Sequence, residues 1–299
     1  MFKGSFVALV TPMNEDDSID FHGLESLIDL HINSGTNGFV IMGTTAESAT
    51  LEFVERIEIV KFAIEHINLR CPDRNSRPKI IVGNGSNCTR HSVERTQELE
   101  LFDIDGYLAV VPYYNKPSQN GLIAHFKALA ECTDKPILLY NVPGRTVVDL
   151  IPESVASLAK VDNIIGIKEA SGQIERVREI KQLCGEDFVC LSGDDASSLD
   201  FMKAGGDGYI SVTANVAPKQ MAQMCQASFD KDWHQADKIN QQLLMLHEAL
   251  FIEPNPVPAK WVLAKMGLIN SPQLRLPLIP LEPIHQNAVK EAMLVAGLI

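Results

Sequence analysis

The residues of this chain that could do covalent chemistry stand at the ends of short apolar runs. Residues 164–167 form one such run, and Lys168 ends it. An ammonium group at the end of a buried strand is desolvated, which disfavours its charged form. The neutral amine is a nucleophile toward carbonyl carbon. Taken alone, Lys168 fits better as the first solvated residue after a strand, because lysines are common at element ends. Tyr140 ends a second run, over 136–140. A phenol near such an amine can hold the proton that moves when a carbinolamine loses water. A buried tyrosine with a satisfied hydroxyl is the more frequent case. Thr44 and Thr45 follow the run 38–42. Their hydroxyls could bind a carboxylate and relay protons, or simply cap the helix that follows. Arg145, just past Tyr140, suits a carboxylate clamp and an exposed loop arginine equally. One amine, phenols and hydroxyls together suit imine chemistry.

Those residues need elements to hold them, and the chain supplies a regular alternation. Apolar runs at 5–10, 38–42, 79–82, 107–111, 136–140, 164–168, 188–191 and 208–212 read as strands. Amphipathic segments follow them at 21–34, 52–69, 89–102, 119–132, 152–160, 174–183, 195–204 and 218–228. Short continuous apolar strands are those of a parallel sheet buried on both faces. Eight strand–helix units in about 230 residues predict an α/β fold, a (β/α)8 barrel over 1–230. Gly83-Asn84-Gly85 lacks the third glycine of a dinucleotide fingerprint, which argues against a Rossmann sheet. Residues 231–299 predict a helical C-terminal appendage, with helices at 232–250, 259–266 and 284–298 and prolines between them.

Composition narrows the function classes. Charged residues number 26 basic and 38 acidic, a net charge of -12. A net anion with no basic block is a poor fit to nucleic acid or an anionic membrane surface. The N-terminal residues lack the pattern of a signal peptide, and no apolar run approaches a membrane span. None of the six cysteines forms a C-x-x-C pair, and the eight histidines show no metal spacing. Free thiols in a reducing cytoplasm and no metal centre are expected.

In a barrel of this kind, chemistry sits at the carboxyl ends of the strands. Those ends carry Thr44 and Thr45, Tyr113 and Tyr114, Tyr140 and Arg145, Lys168, and Gly193 with Asp194 and Asp195. The two aspartates precede a helical segment and lack a third ligand, so helix capping is the expected role. They also oppose a phosphorylated substrate in the loop where many barrels bind phosphate.

With these residues in place, the motifs resemble those of the dihydrodipicolinate synthase family, the pyruvate-dependent class I aldolase group that includes N-acetylneuraminate lyase. The matching motifs are 43–48, Tyr140-Asn141-Val142-Pro143-x-Arg145 and Gly166-Ile167-Lys168-Glu169-Ala170. Further matches are Thr11-Pro12, 112–117, Ser192 to Asp195, 211–215 and Asn255-Pro256-x-Pro258-x-Lys260. The resemblance covers essentially the whole chain. It implies that Lys168 forms a Schiff base with pyruvate and needs no separate cofactor. It implies a proton relay of Tyr140, Thr44 and Tyr114, with Tyr114 reaching in from a neighbouring subunit. Thr45 and the backbone near Ile210 would bind pyruvate, Arg145 the carboxylate of L-aspartate-4-semialdehyde, and Gly193 would line the site. A homotetramer built from two tight dimers is implied, working in lysine and diaminopimelate biosynthesis.

The Thr-Thr pair and the arginine after the proline are those of the synthase branch. Another pyruvate-dependent aldolase, acting on N-acetylneuraminate or a 2-keto-3-deoxy acid, and a non-catalytic binding barrel are the alternatives. Ala46 replaces the glycine usual in its motif, so that turn is expected to avoid positive φ. The lysine-effector site of the family maps to Ser48, Ala49, Phe53, Arg56, Asn87, His91 and Tyr113. Phe53 and Arg56 stand where the family has histidines, and His91 where it has glutamate. Loss of a carboxylate and gain of a guanidinium disfavour a cationic effector, so weak or absent lysine inhibition is expected.

Overall fold

The computed structural model describes residues 2–299. Eight parallel strands close into a barrel in sequence order. They are β1 (Gly4–Ala8), β2 (Gly38–Ile41), β3 (Lys79–Gly83), β4 (Gly106–Val110), β5 (Ile137–Asn141), β6 (Ile164–Glu169), β7 (Val189–Ser192) and β8 (Gly208–Ser211). Between them run α1 (Phe21–Ser34), α2 (Phe53–Arg70), α3 (Thr89–Leu99), α4 (Gln119–Ala130), α5 (Pro143–Thr146), α6 (Pro152–Leu158), α7 (Glu175–Cys184) and α8 (Ser198–Lys203). After β8 come α9 (Pro218–Phe229), α10 (Trp233–Ala249), α11 (Val257–Lys265) and α12 (Pro283–Val295).

The predicted strands and helices are all present, with ends shifted by a few residues. Two short elements were not predicted: α5, a single turn opened by Pro143 within the loop after β5, and a 3-10 turn over Thr213–Asn215 after β8. A one-turn helix has no apolar periodicity to reveal it. The strands are short because each is buried on both faces. All five residues of β5 are buried, and the inward and outward sides both meet packed atoms. Helix ends are set by local chemistry. Asp20 accepts from Gly23 N at 2.8 Å to start α1, and Gly35 ends it in the left-handed region, at φ 82°.

Two compact units divide the chain. One is Lys79–Ile210 with Phe2 and Lys3. Here β5 and β6 pair in parallel with Tyr140 opposite Lys168 and Asn141 opposite Glu169. On the other side of β6, Lys168 lies opposite Leu191 of β7. The other unit joins Gly4–Pro78 to Ser211–Ile299. In it, α10 packs on α9 and α12. Asn215 binds the end of β1 twice, accepting from Val10 N at 3.1 Å and donating to Ala8 O at 2.8 Å.

All six cysteines are free thiols. Burial pushes the Cys190 thiol far above the ordinary thiol range, so it is an inert core group. Among the described residues, no helix is long and apolar enough to cross a membrane. No group of three or more His, Cys, Asp or Glu among them could hold a metal ion.

Candidate active site

In the Lys79–Ile210 unit, Lys168 is the next-to-last residue of β6 and is only 6% exposed. Its Nζ lies over the Tyr140 ring, 4.4 Å from the centroid. The parallel register explains this meeting, since residues opposite each other on adjacent strands project to the same face. A cation over an aromatic face is attracted by the ring quadrupole, by about 0.5–2 kcal/mol depending on desolvation. Gly193 closes the other side. A Cβ placed there would come within 2.8 Å of Lys168 Cε and 2.7 Å of Ala170 Cβ. Only a glycine leaves room for the lysine arm in this conformation. Gly193 N also donates to Glu169 O at 2.7 Å, which ties the loop after β7 to the end of β6. Ile210, on β8, is buried.

The pleat sends the next residues, Asn141 and Glu169, to the opposite face. There they meet a polar cluster that sequence reading did not single out. Asn141 Nδ2 donates to Glu169 Oε2 at 3.0 Å and to Asp149 Oδ1 at 2.9 Å. Asn141 Oδ1 accepts from Leu150 N at 3.0 Å. Glu169 also accepts from Ser171 N at 2.7 Å. Arg176, in the first turn of α7, forks onto Asp149 at 2.7 and 2.5 Å. Its Nη1 is 3.8 Å from Glu169. Burial raises the Glu169 carboxyl above its ordinary pKa, although Asn141, Ser171 and Arg176 all oppose the shift. For Asp149 burial pulls the same way but loses. Hydrogen bonds from Arg176 and Asn141 hold it below the ordinary range. The Arg176 guanidinium is correspondingly raised by its bonds to Asp149.

Arg145 lies on α5 and is exposed. The loop it occupies begins at Asn141 and ends at Asp149 and Leu150, so the Asn141 side chain closes the loop at its base. Tyr114 is 88% exposed and its backbone sits at φ 76°. A bulky residue held in that region costs about 1–3 kcal/mol. It stands out from its own chain, while Lys168 and Tyr140 are buried. Asn115, next to it, donates to Asn87 O at 2.7 Å.

Of the two aspartates after β7, Asp194 does local work. Asp194 Oδ2 accepts from Ser197 N at 3.1 Å and from the Ser197 hydroxyl, bracing the turn before α8.

In the other unit, Thr44 and Thr45 follow β2 in a turn held by four contacts. Thr11 Oγ1 donates to Ala46 O at 2.9 Å. Asn255 Nδ2 donates to Thr45 Oγ1 at 2.9 Å. Lys260 Nζ binds Glu47 Oε1 at 2.7 Å, with both side chains almost fully buried. Arg275 N donates to the second Glu47 oxygen at 3.2 Å. Burial lowers the Lys260 pKa, against the pull of Glu47. Against the expectation drawn from Ala46, the turn does take a positive φ, at Glu47 (54°) rather than at Ala46. Because Asn255 occupies a lone pair of Thr45 Oγ1, the hydroxyl proton remains to be donated to an anion.

Among the effector-site candidates, Ser48 and Arg56 are together. The Arg56 guanidinium donates to Ser48 O, and its Nε to Leu51 O at 3.1 Å. Ala49, Phe53, His91 and Tyr113 are exposed, and Asn87 is half-buried.

Sequence reading missed Asn141, Asp149, Arg176 and Glu47 as working residues, and assigned no role to Asn255, Lys260 or Glu169. One signal was present. Lys260 interrupts an otherwise apolar helix over 257–263, and a lone charge there needs a buried partner. Asp149 and Arg176 gave no such sign, since each reads as an ordinary solvated residue.

Known proteins resemble this chain in sequence and fold. The model of the Dihydrodipicolinate synthetase family matches residues 1–295. The 4-hydroxy-tetrahydrodipicolinate synthases of Pseudoalteromonas atlantica (strain T6c) and Shigella dysenteriae serotype 1 are each 50% identical over 299 residues, covering all of both chains. A crystal structure of the chloride-inhibited dihydrodipicolinate synthase from Acinetobacter baumannii, complexed with pyruvate, superposes with a TM-score of 0.95. It is 42% identical and covers all of both chains.

Proposed function

The chain belongs to the dihydrodipicolinate synthetase family, and we propose that its Lys168 amine captures pyruvate as an imine. The activity is that of a 4-hydroxy-tetrahydrodipicolinate synthase, a lyase of lysine and diaminopimelate biosynthesis. One observation supports the role of Lys168 above all. It is a buried amine at the end of β6, set over the Tyr140 ring and with space kept for it by Gly193.

The Lys168 amine adds to C2 of pyruvate and the carbinolamine loses water. The imine draws electrons from C3, which gives up a proton and becomes an enamine. That carbon attacks the aldehyde of L-aspartate-4-semialdehyde, whose oxygen takes a proton. The substrate amine then attacks C2, releases Lys168 and closes the ring. Tyr140, Thr44 and Tyr114 move the protons. Thr45, Gly193 and the backbone at Ile210 receive pyruvate, and Arg145 receives the semialdehyde carboxylate. The imine on Lys168 supplies the electron sink, so no further cofactor enters the scheme.

The exposed, left-handed Tyr114 fits a residue that completes a neighbouring subunit's site. A tetramer built from tight dimers, working in the cytoplasm, goes with that reading. We keep 1–230 as the catalytic barrel and 231–299 as the appendage that braces the Thr44–Thr45 turn. Lysine inhibition is weak or absent in this reading, because Arg56 brings a cation to the turn at Ser48. Half-maximal inhibition by submillimolar lysine would overturn that point.

Borohydride reduction in the presence of pyruvate tests the core claim. A stable mass increment on Lys168 is expected, with turnover of the semialdehyde and none of N-acetylneuraminate. An adduct on another lysine, or no adduct, sinks the mechanism.

A further inference from the structure

Four restraints meet in Asn141, a fully buried residue next to Tyr140 on β5. Its Nδ2 donates to both Asp149 and Glu169, its Oδ1 accepts from Leu150 N, and its backbone carbonyl accepts from Ala170 N at 2.9 Å. A carboxamide offers two amide protons and an acceptor oxygen, and every one of them is used here. Aspartate at this position would set a third carboxylate against Asp149 and Glu169. An apolar residue would leave the buried Glu169 and the half-buried Asp149 each short of a donor.

These bonds join two parts of the proposed machinery. Asp149 and Leu150 end the loop that presents Arg145. Glu169 directly follows Lys168 on β6. Arg176 reinforces the link from α7, forked onto Asp149 and close to Glu169. The cluster lies on the opposite face of the strands from Lys168, so it touches no reacting atom. We propose that Asn141 is a positioning residue that locks the Arg145 loop to the strand end bearing Lys168, fixing the distance between the two substrates' anchors. The inference rests on the reading of Lys168 and Arg145 given above.

The chemistry shows where loosening this lock would be felt. Capture of pyruvate needs only Lys168 and the groups around it. Carbon–carbon bond formation needs the enamine carbon and the aldehyde about 3–3.5 Å apart, and a displacement of about 1 Å can cost about 100-fold. In a double-displacement reaction, kcat/KM for each substrate reports its own half. A displaced Arg145 loop therefore lowers kcat/KM for the semialdehyde and spares that for pyruvate. A general loss of folding lowers both together.

The test compares wild type, Asn141→Ser and Arg176→Gln as full-length enzymes. Borohydride trapping with pyruvate is run on each, and kcat/KM is measured for both substrates at a temperature well below each melting midpoint. Wild type should trap pyruvate on Lys168, and both variants should trap it to the same extent. For Asn141→Ser, kcat/KM for the semialdehyde should fall about 10-fold to 100-fold, with at most a threefold change for pyruvate. Arg176→Gln, which cuts the cluster at its outer edge, should show the same split at about a tenth of the size, and it decides the matter if Asn141→Ser does not fold. Equal losses for both substrates, or no loss in a folded variant, overturn the proposal. No adduct in wild type overturns the underlying reading of Lys168 instead.

Discussion

Two buried ionic arrangements, one in each compact unit, support candidate residues by different means. Lys260 and Glu47 form a closed pair, one cation to one anion, with almost no exposure on either side chain. Asp149, Glu169 and Arg176 share one cation between two carboxylates, with a neutral amide between them. The closed pair holds a turn in one geometry, and breaking either half strands the other. The shared cluster carries one more negative than positive charge when both carboxylates are ionised. Its two acids are pushed in opposite directions, Glu169 up by burial and Asp149 down by its Arg176 and Asn141 bonds. A closed pair is therefore a rigid pin, and a shared cluster is a joint whose strength follows pH.

The sharpest way to break this comparison is Lys260→Met. It leaves Glu47 buried without its counter-charge, and a loss of about 3–5 kcal/mol is expected in urea denaturation. Glu47→Gln combined with Lys260→Met should recover most of that loss. If the single variant loses under about 1 kcal/mol, the pair is no pin. Next comes Asn255→Ala, which removes the donor to Thr45 from the same region. A loss of about 1.5 kcal/mol is expected, together with a severalfold rise in KM for pyruvate. An unchanged KM would mean that the orientation of the Thr45 hydroxyl does not matter.

Asp149→Asn probes the joint. Its carboxyl is lowered in the folded state, so the stability it contributes is present above the unfolded value, about 3.9. That contribution is lost as pH falls through the folded-state value. Glu169, raised by burial, has the opposite sign: its contribution is present below its unfolded value and lost as pH rises through the folded one. Wild type should exceed Asp149→Asn by about 1 kcal/mol at pH 7, allowing for solvent at the half-buried carboxylate. The gap should narrow as pH falls below about 4, read from urea midpoints at several pH values. A gap that widens on acidification would reverse the assignment. The smallest effect belongs to Arg178→Ala, which breaks an exposed ion pair with Glu175 on the same helix as Arg176. Less than about 0.5 kcal/mol is expected. A larger loss would show that position on α7, rather than burial, sets the scale.

The barrel was legible because period and burial repeat eight times along the chain. Lys168 and Tyr140 were legible as polar residues ending apolar runs, and the fold rule then put them at one end of the barrel. The supports were not, for a reason of distance. Thr45 and Asn255 are 210 positions apart, and Glu47 and Lys260 are 213 apart. Asp149 and Arg176 are 27 apart, in segments that read as a loop and a solvated helix start. Local pattern reports what a residue is and which face it takes. It does not report which remote residue will meet it once the chain has closed. The turn α5 escaped for the opposite reason, being too short for a periodic signal.

The alternation along β5 and β6 has a consequence for anyone transplanting this chemistry. On the proposed reading, Tyr-Asn and Lys-Glu each work as a two-letter word, with the reacting group first and its anchor second. The pleat sends the two letters to opposite faces, and strand pairing reads them in the same order on both strands. A graft that moves only Tyr140 and Lys168 onto another barrel imports the reactive half of each word. An insertion of one residue upstream would exchange the letters, turning an amine outward and a carboxylate inward. The portable unit is the dipeptide pair in register, together with a distant arginine to finish the sentence.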